Sequence, residues 1–257
     1  MPYRNPSPFT GEGFFLVIIS AMQKLAQHAQ ELFGLYLNEN QLSSLAIYER
    51  ELLIWNKKFN LTAIRDVEGI RAKHFLDSFS CVLAWRDQPP QTLLDLGSGA
   101  GFPGIPLKII YPHLKLTLVD SVAKKVKFCQ HIVETLKLDD VKVIHARAEM
   151  LGKHPKHREN YDWAVARAVA RLPVLSEYLL PFVKVGGTML AQKGERGLAE
   201  TQEAENALQI LGGELRQAIP ITLPSVVEER YLVLVDKVST TPAEYPRREG
   251  VPSKKAL

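Results

Sequence analysis

The spacing of apolar positions changes character once along the chain, near Thr92. Before it, Leu42, Leu45, Leu52, Leu53 and Trp55 recur at helical separations, and Phe75, Phe79, Val82 and Leu83 form a second stripe of the same kind. Both stripes predict helices with one buried face. The stretch "KKFNLTAIRD", residues 57–66, breaks the period between them. Beyond Thr92, short apolar runs at 93–96, 116–119, 141–144, 163–166 and 188–191 alternate with helix-length segments, the pattern of a parallel sheet with crossover helices. Two further runs, 219–223 and 231–235, follow "ALQILGGELRQ" and predict a closing pair of strands, antiparallel to each other. After the second strand, Val122, Val126, Cys129, Val133 and Leu136 predict a helix lying on the sheet. Lys124, Lys125 and Lys127 stand at its start, where cations oppose the helix dipole and gain from a nearby anion.

The predicted architecture is α/β. A Rossmann-like, mostly parallel sheet (92–240) is preceded by an N-terminal extension with helical cap elements (1–91) and followed by a proline-rich basic tail (241–257), expected to pack on or near the side that would meet a nucleic acid. With 257 residues, 46% apolar and 23% charged, the chain suits one large α/β domain with attached elements. A net charge of +4 permits a nucleic-acid partner without requiring one, so local clusters must carry that case. Cys81 and Cys129 lack companions at ligand spacing, and His154 and His157 lack a third ligand. No metal site or disulfide framework is expected, and a reducing cytoplasm is. The run "FFLVIISAM" is preceded only by Arg4 as a positive charge and is too short to cross a bilayer. It reads as a loosely packed start running into a helix, with no membrane partner.

The chemistry concentrates in "LLDLGSGAGFPGIP", residues 93–106. Gly97, Ser98, Gly99, Gly101 and Phe102 follow a strand, and glycines there let the backbone approach a ligand at the strand's carboxyl end. The Gly-Lys-Ser/Thr ending of a phosphate loop is absent. Gly99, Gly101 and Gly104 satisfy G-x-G-x-x-G with Asp120 about twenty residues on, so spacing alone leaves a dinucleotide open. Asp95 repels a pyrophosphate but suits the cationic methionyl end of S-adenosylmethionine, and Asp120 can accept from both ribose hydroxyls. Arg147, Ala148 and Glu149, after the third strand, stand at the height of the adenine.

These stretches, together with "FNLTAIRD", "KHFLDS", "LTLVDSVAKKVKF", "YDWAVARAVARLPVLSEYLLPFVKVGG" and "YPRREGVPSKKAL", resemble the bacterial 16S rRNA guanine-N7 methyltransferases of the glucose-inhibited division B family. The resemblance runs from about Phe59 to the end, with a mild departure in "PSKKAL". It implies a class I methyltransferase fold, S-adenosylmethionine as donor, and N7 of a guanosine in the 530 loop of 16S rRNA as acceptor, met as free RNA or in a 30S assembly particle. A monomer is expected. Two other readings stay open: an RNA-binding assembly factor with a vestigial pocket, and an NAD-dependent oxidoreductase.

Guanine N7 carries a lone pair and no proton, so transfer needs alignment rather than a general base. Arg167, at the end of the fourth strand, is the candidate for positioning substrate or cofactor, and Arg171 follows it. Lys193 and Arg196 follow the fifth strand and are candidates for RNA phosphates, as are Arg247 and Arg248 in the tail. His74 and Asp77, three apart on a helix, share a face at the RNA entrance. The basic run "KHPKHREN" adds to the same surface.

Overall fold

The structure, a computed structural model, describes residues 12–86 and 88–257. Residues 1–11 lie outside them, and the run 14–22, expected as a loosely packed start running into a helix, falls within the first helix. Two long helices, α1 (Glu12–Phe33) and α2 (Glu39–Phe59), lead into a helical run composed of α3 (Val67–Ile70), a π-helical stretch (Arg71–Leu76), α4 (Asp77–Phe79) and α5 (Val82–Trp85). Helix α2 begins at Asn38, whose side chain and that of Gln41 cap each other's backbone N–H, and it ends at Asn60 in the left-handed region. The Asn56 amide then bonds Thr62 and Ile64, which fixes the turn where the helical period breaks.

The sheet comprises β1 (Thr92–Leu96), β2 (Lys115–Asp120), β3 (Val141–His145), β4 (Tyr161–Arg167), β5 (Val183–Lys193), β6 (Gly213–Ile221) and β7 (Arg230–Lys237). Helices α6 (Gly104–Ile110), α7 (Ala123–Thr135), α8 (Ala148–Leu151), α9 (Leu172–Leu179), α10 (Gly197–Glu203) and α11 (Glu205–Leu211) connect them, and α12 (Val251–Lys254) lies in the tail. Strand order is β3-β2-β1-β4-β5-β7-β6, parallel except for β7, which runs against both neighbours. The order reverses between β1 and β4, the crevice where open α/β sheets bind ligands.

Alternation along the strands sorts side chains to two faces. Leu93, Leu116, Leu118, Val165, Leu190, Leu232 and Leu234 join the core beneath α1, α2, α6 and α7. Leu94, Leu96, Val119, Ala164, Ala166, Met189 and Ala191 join the opposite core beneath α9 and α11. By the same parity Asp95, Arg167, Gln192 and Arg230 fall on the face that the N-terminal helices cover. These helices share their core with the sheet, since Met22, Leu25, Leu45 and Leu52 belong to the first cluster.

Three sequence expectations shift. Val122 is the extended N-cap of α7 and exposed, so the buried stripe is Val126, Phe128, Cys129 and Ile132. The sixth strand begins six residues before 219, because Gly212 in the left-handed region stops α11 and lets the chain turn straight into the sheet. "KHFLDS" lies mostly in the π-helical stretch, yet His74 and Asp77 still share a face.

Candidate functional site

The glycine loop is held from below. Gly97 has φ 67°, and a Cβ there would lie 2.5 Å from the Val169 side chain. A Cβ on Gly104 would meet Leu118 at 2.6 Å and the Asp95 carboxylate at 2.8 Å, so only glycine lets α6 start directly above β1. Asp95 is fully buried; its Oδ2 accepts from the Gly104 N–H at 2.8 Å while Oδ1 has no partner. Burial pushes its pKa up to about 7, with the Gly104 N–H and Arg167 pulling the other way. Asp120 ends β2 and accepts from Gly99 N–H at 2.9 Å and Val122 N–H at 2.8 Å. Lys125 approaches it at 4.0 Å, so Asp120 is the nearby anion for one of the lysines at the start of α7.

Two cavities open at the carboxyl ends of the strands. The first, about 250 Å³, is lined by Gly97, Asp120, Arg147, Ala148, Glu149 and Tyr178, among others. A carboxylate at the end of β2, apolar Leu96 and Val119, and a peptide edge at Arg147–Ala148 suit an adenosyl group in kind. Ser98 and Phe102 are buried at 3% exposure, and Gly101 packs on Ile105 and Tyr48, so these three support the loop from inside. The Tyr48 hydroxyl donates to the Ala100 carbonyl and its ring stacks on Phe102 at 5.1 Å.

The second cavity, about 530 Å³, adjoins the first at Ala168 and is lined by Asp77, Arg167, Gln192, Lys193, Arg196 and Arg230, among others. Arg167 donates to Asp77 Oδ2 at 2.8 Å, to the Lys73 carbonyl at 3.0 Å and to His74 Nδ1 at 3.1 Å. A guanidinium only donates, so Nδ1 is unprotonated and Nε2 carries the proton toward Thr62 Oγ1, 2.9 Å away. Burial, reinforced by Arg167, lowers the His74 pKa to about 3, and its ring stacks 4.3 Å from Phe102. Arg230 reaches Asp77 Oδ1 at 3.1 Å, and Gln192 Nε2 donates to the Asp77 carbonyl at 2.7 Å. One buried carboxylate thus lies between two guanidiniums, and the sheet face fixed by strand parity meets the N-terminal helices through it.

Over 600 curated proteins match this chain, and residues 41–226 match the GidB family model, rRNA small subunit methyltransferase G. The chain belongs to this family. It is 48% identical over 233 residues to a ribosomal RNA small subunit methyltransferase G of Alkaliphilus metalliredigens, covering 91% of this chain and 97% of the relative. Its identity to the protein of the same name from Roseiflexus sp. RS-1 is 49% over 225 residues, 88% of this chain and 95% of that one. Among solved structures, a SAM-dependent methyltransferase from Aquifex aeolicus superposes with TM-score 0.50 at 16% identity, over 68% of this chain and 96% of the other. The YcgJ protein from Bacillus subtilis gives TM-score 0.50 at 13% identity, over 65% and 100%. These two show the expected α/β fold. Family membership selects the methyl donor over the dinucleotide that the glycine spacing left open.

In this family member the expected residues divide into three groups. Gly97, Asp120, Arg147, Ala148 and Glu149 line the first cavity, and Asp77, Arg167, Lys193 and Arg196 the second. The rest lie elsewhere, and several residues of each group are engaged by the protein. Arg171 pairs with Glu203, as does Arg196 at 3.0 Å. Lys193 bonds Glu200 at 2.7 Å and the Ala170 carbonyl at 2.8 Å. Arg247, expected at RNA, is instead turned inward onto Glu177, a fully buried carboxylate that would be costly to leave unpaired. Arg248 is exposed. Arg158 of the basic run donates to the carbonyls of Gly152, Tyr245, Thr241 and Pro242 rather than facing solvent. Sequence reasoning missed Arg230 and Gln192. The signal for Arg230 was the polar start of β7, which faces the site because that strand runs backwards.

Proposed function

We propose that the chain transfers the methyl group of S-adenosylmethionine to N7 of a guanosine in 16S rRNA, as a monomer in the cytoplasm. The observation that carries this reading is the pair of adjoining cavities at the switch point of a chain in this family. The first suits the donor and the second a flipped base. The donor supplies an electrophilic methyl on a sulfonium; the N7–C bond forms as the C–S bond breaks, and sulfur keeps the electron pair. Asp120 holds the ribose, the Arg147–Ala148 backbone meets the base edge, and Asp95, beneath α6, favours cationic charge nearby.

No general base is needed, which agrees with His74 being neutral, buried and committed to Thr62 and Arg167. Both terminal nitrogens of Arg167 are held by protein partners, so its role is to shape the mouth between the cavities. The second cavity's lining holds four cations (Arg167, Lys193, Arg196, Arg230) and four carboxylates (Asp77, Glu195, Glu200, Glu228). Such balance supports recognition by placed donors and acceptors rather than by a bulk field. Arg196, its side chain 68% exposed although paired with Glu203, and the exposed Arg248 are the remaining candidates for phosphates. Among the described residues no helix is long and apolar enough to cross a membrane, and both cysteines are free and buried.

Mass-spectrometric mapping of 16S rRNA after incubation with the protein and labelled donor tests the proposal. One N7-methylguanosine in the 530 loop, on free RNA or on 30S particles, is expected. No incorporation on either substrate overturns it and favours the assembly-factor reading.

A further inference from the structure

The tail carries Arg247, Arg248, Lys254 and Lys255, yet the structure turns its best-placed charge inward. Glu177 on α9 is 0% exposed, and Arg247 meets it with Nε at 2.9 Å from Oε1 and 3.1 Å from Oε2, Nη2 at 2.5 Å from Oε2, and its backbone N–H at 2.8 Å from Oε1. A bidentate pair of this kind, with a buried carboxylate, is a fixed joint rather than a mobile surface contact. A second joint lies at the tail's root. Arg158 donates to Gly152 at the end of α8 and to Thr241, Pro242 and Tyr245 in the tail.

Beyond both joints the tail touches the wall of the first cavity twice. The Gly250 N–H donates to Glu149 Oε1 at 3.1 Å, and Glu249 pairs with Arg147 at 3.1 Å. Arg147 and Glu149 both line that cavity. Helix α8 has four residues, too few to hold its own place by internal hydrogen bonds. What fixes it, and with it the Arg147–Ala148 peptide edge, is the packing on either side.

We propose that residues 245–255 form a strap that positions the adenosyl wall of the donor cavity, with Arg247 as the anchoring, positioning residue. The strap couples tail docking to cofactor binding at no cost in direct contacts: nothing in the tail need touch the donor. This rests on reading the first cavity as the donor site. Because coupling is reciprocal, donor binding must also tighten the strap.

Two measurements on the full chain test it, with S-adenosylhomocysteine as probe. In the parent, its addition is expected to slow amide exchange across 245–255 by about fivefold or more, the lower bound of ordinary coupling. In the doubly neutral variant Glu177→Gln/Arg247→Gln, which leaves no buried charge unpaired, and separately in the surface variant Glu249→Gln, the probe binds more weakly. The loss is about fivefold or more for the anchor and smaller for the rim pair. The KM for donor rises in step while the KM for RNA and the kcat hold. Arg247→Lys, keeping charge but not the fork, recovers part of the affinity.

A folded anchor variant that binds the probe as the parent does, with exchange in 245–255 indifferent to it, overturns the strap. So does a rise in KM for RNA with donor KM unchanged, which makes the tail an RNA contact instead. A parent that fails to bind the probe at all removes the donor reading of the cavity and the strap with it.

Discussion

Asp77→Asn is the sharpest perturbation of the site. The side chain is 4% exposed and divides its oxygens between Arg167 at 2.8 Å and Arg230 at 3.1 Å, guanidiniums that are themselves 16% and 23% exposed. Asparagine keeps the shape and one acceptor oxygen, but its amide nitrogen then faces a group that can only donate. One charge-assisted hydrogen bond is lost, about 1.5–3 kcal/mol, and two half-buried cations are left with no anion between them. Removing one partner of a buried pair costs about 3–5 kcal/mol, so a loss of about 4 kcal/mol is expected, which a domain of ordinary stability survives at low temperature. Urea unfolding of the parent, Asp77→Asn, Arg230→Met and the double variant measures it. The double variant should lose clearly less than the two singles together, since Arg230→Met removes one of the stranded cations. Methyl transfer by Asp77→Asn should fall through kcat, because Arg167 loses its tether at the mouth, and added salt should not restore it at this burial. An Asp77→Asn variant within about 1 kcal/mol of the parent, or singles that simply add, would refute the shared-carboxylate argument.

Asp95→Asn tests the buried carboxyl by pH. The folded pKa is raised to about 7 from the usual 3.8, so the folded state binds more protons and the parent loses stability as pH climbs through that window. The variant's stability relative to the parent should therefore grow by about 3 kcal/mol from pH 5 to pH 8. Taking the difference is essential because His74, lowered to about 3, acts oppositely below pH 6.5 in both proteins. A flat difference in thermal or urea unfolding would sink the assignment. Gly104→Ala should cost about 1–3 kcal/mol through overlap with Leu118 and Asp95; an unchanged urea midpoint would count against the packing argument. Asp120→Ala should weaken binding of S-adenosylhomocysteine in calorimetry by about tenfold or more, the loss of one charged hydrogen-bonding group, and equal affinity would remove Asp120 from the donor site.

The alternation of short apolar runs with amphipathic segments made the sheet legible, because parallel strands buried on both faces have few other ways to read. The same logic found Asp95, Asp120 and Arg167, each at the carboxyl end of a parallel strand where the fold binds ligands. It could not find Arg230, since β7 alone runs backwards and brings its first residue, not its last, to that end. Asp77 and Arg167 are 90 positions apart and Glu177 and Arg247 are 70 apart. No periodicity encodes such pairings. They follow from which face a strand residue takes, as when Arg167 sits two beyond the inward Val165, and from where a covering helix happens to carry a carboxylate. The tail misled for the same reason. Prolines and cations mark a segment that cannot be a strand, and its arginines predict contacts to RNA phosphates, yet a carboxylate buried beneath the segment engages Arg247 without leaving any trace in the segment's own composition. Charge patterns therefore predict partners only where the sequence also reveals what lies opposite, and in this fold that information resides in strand direction and parity.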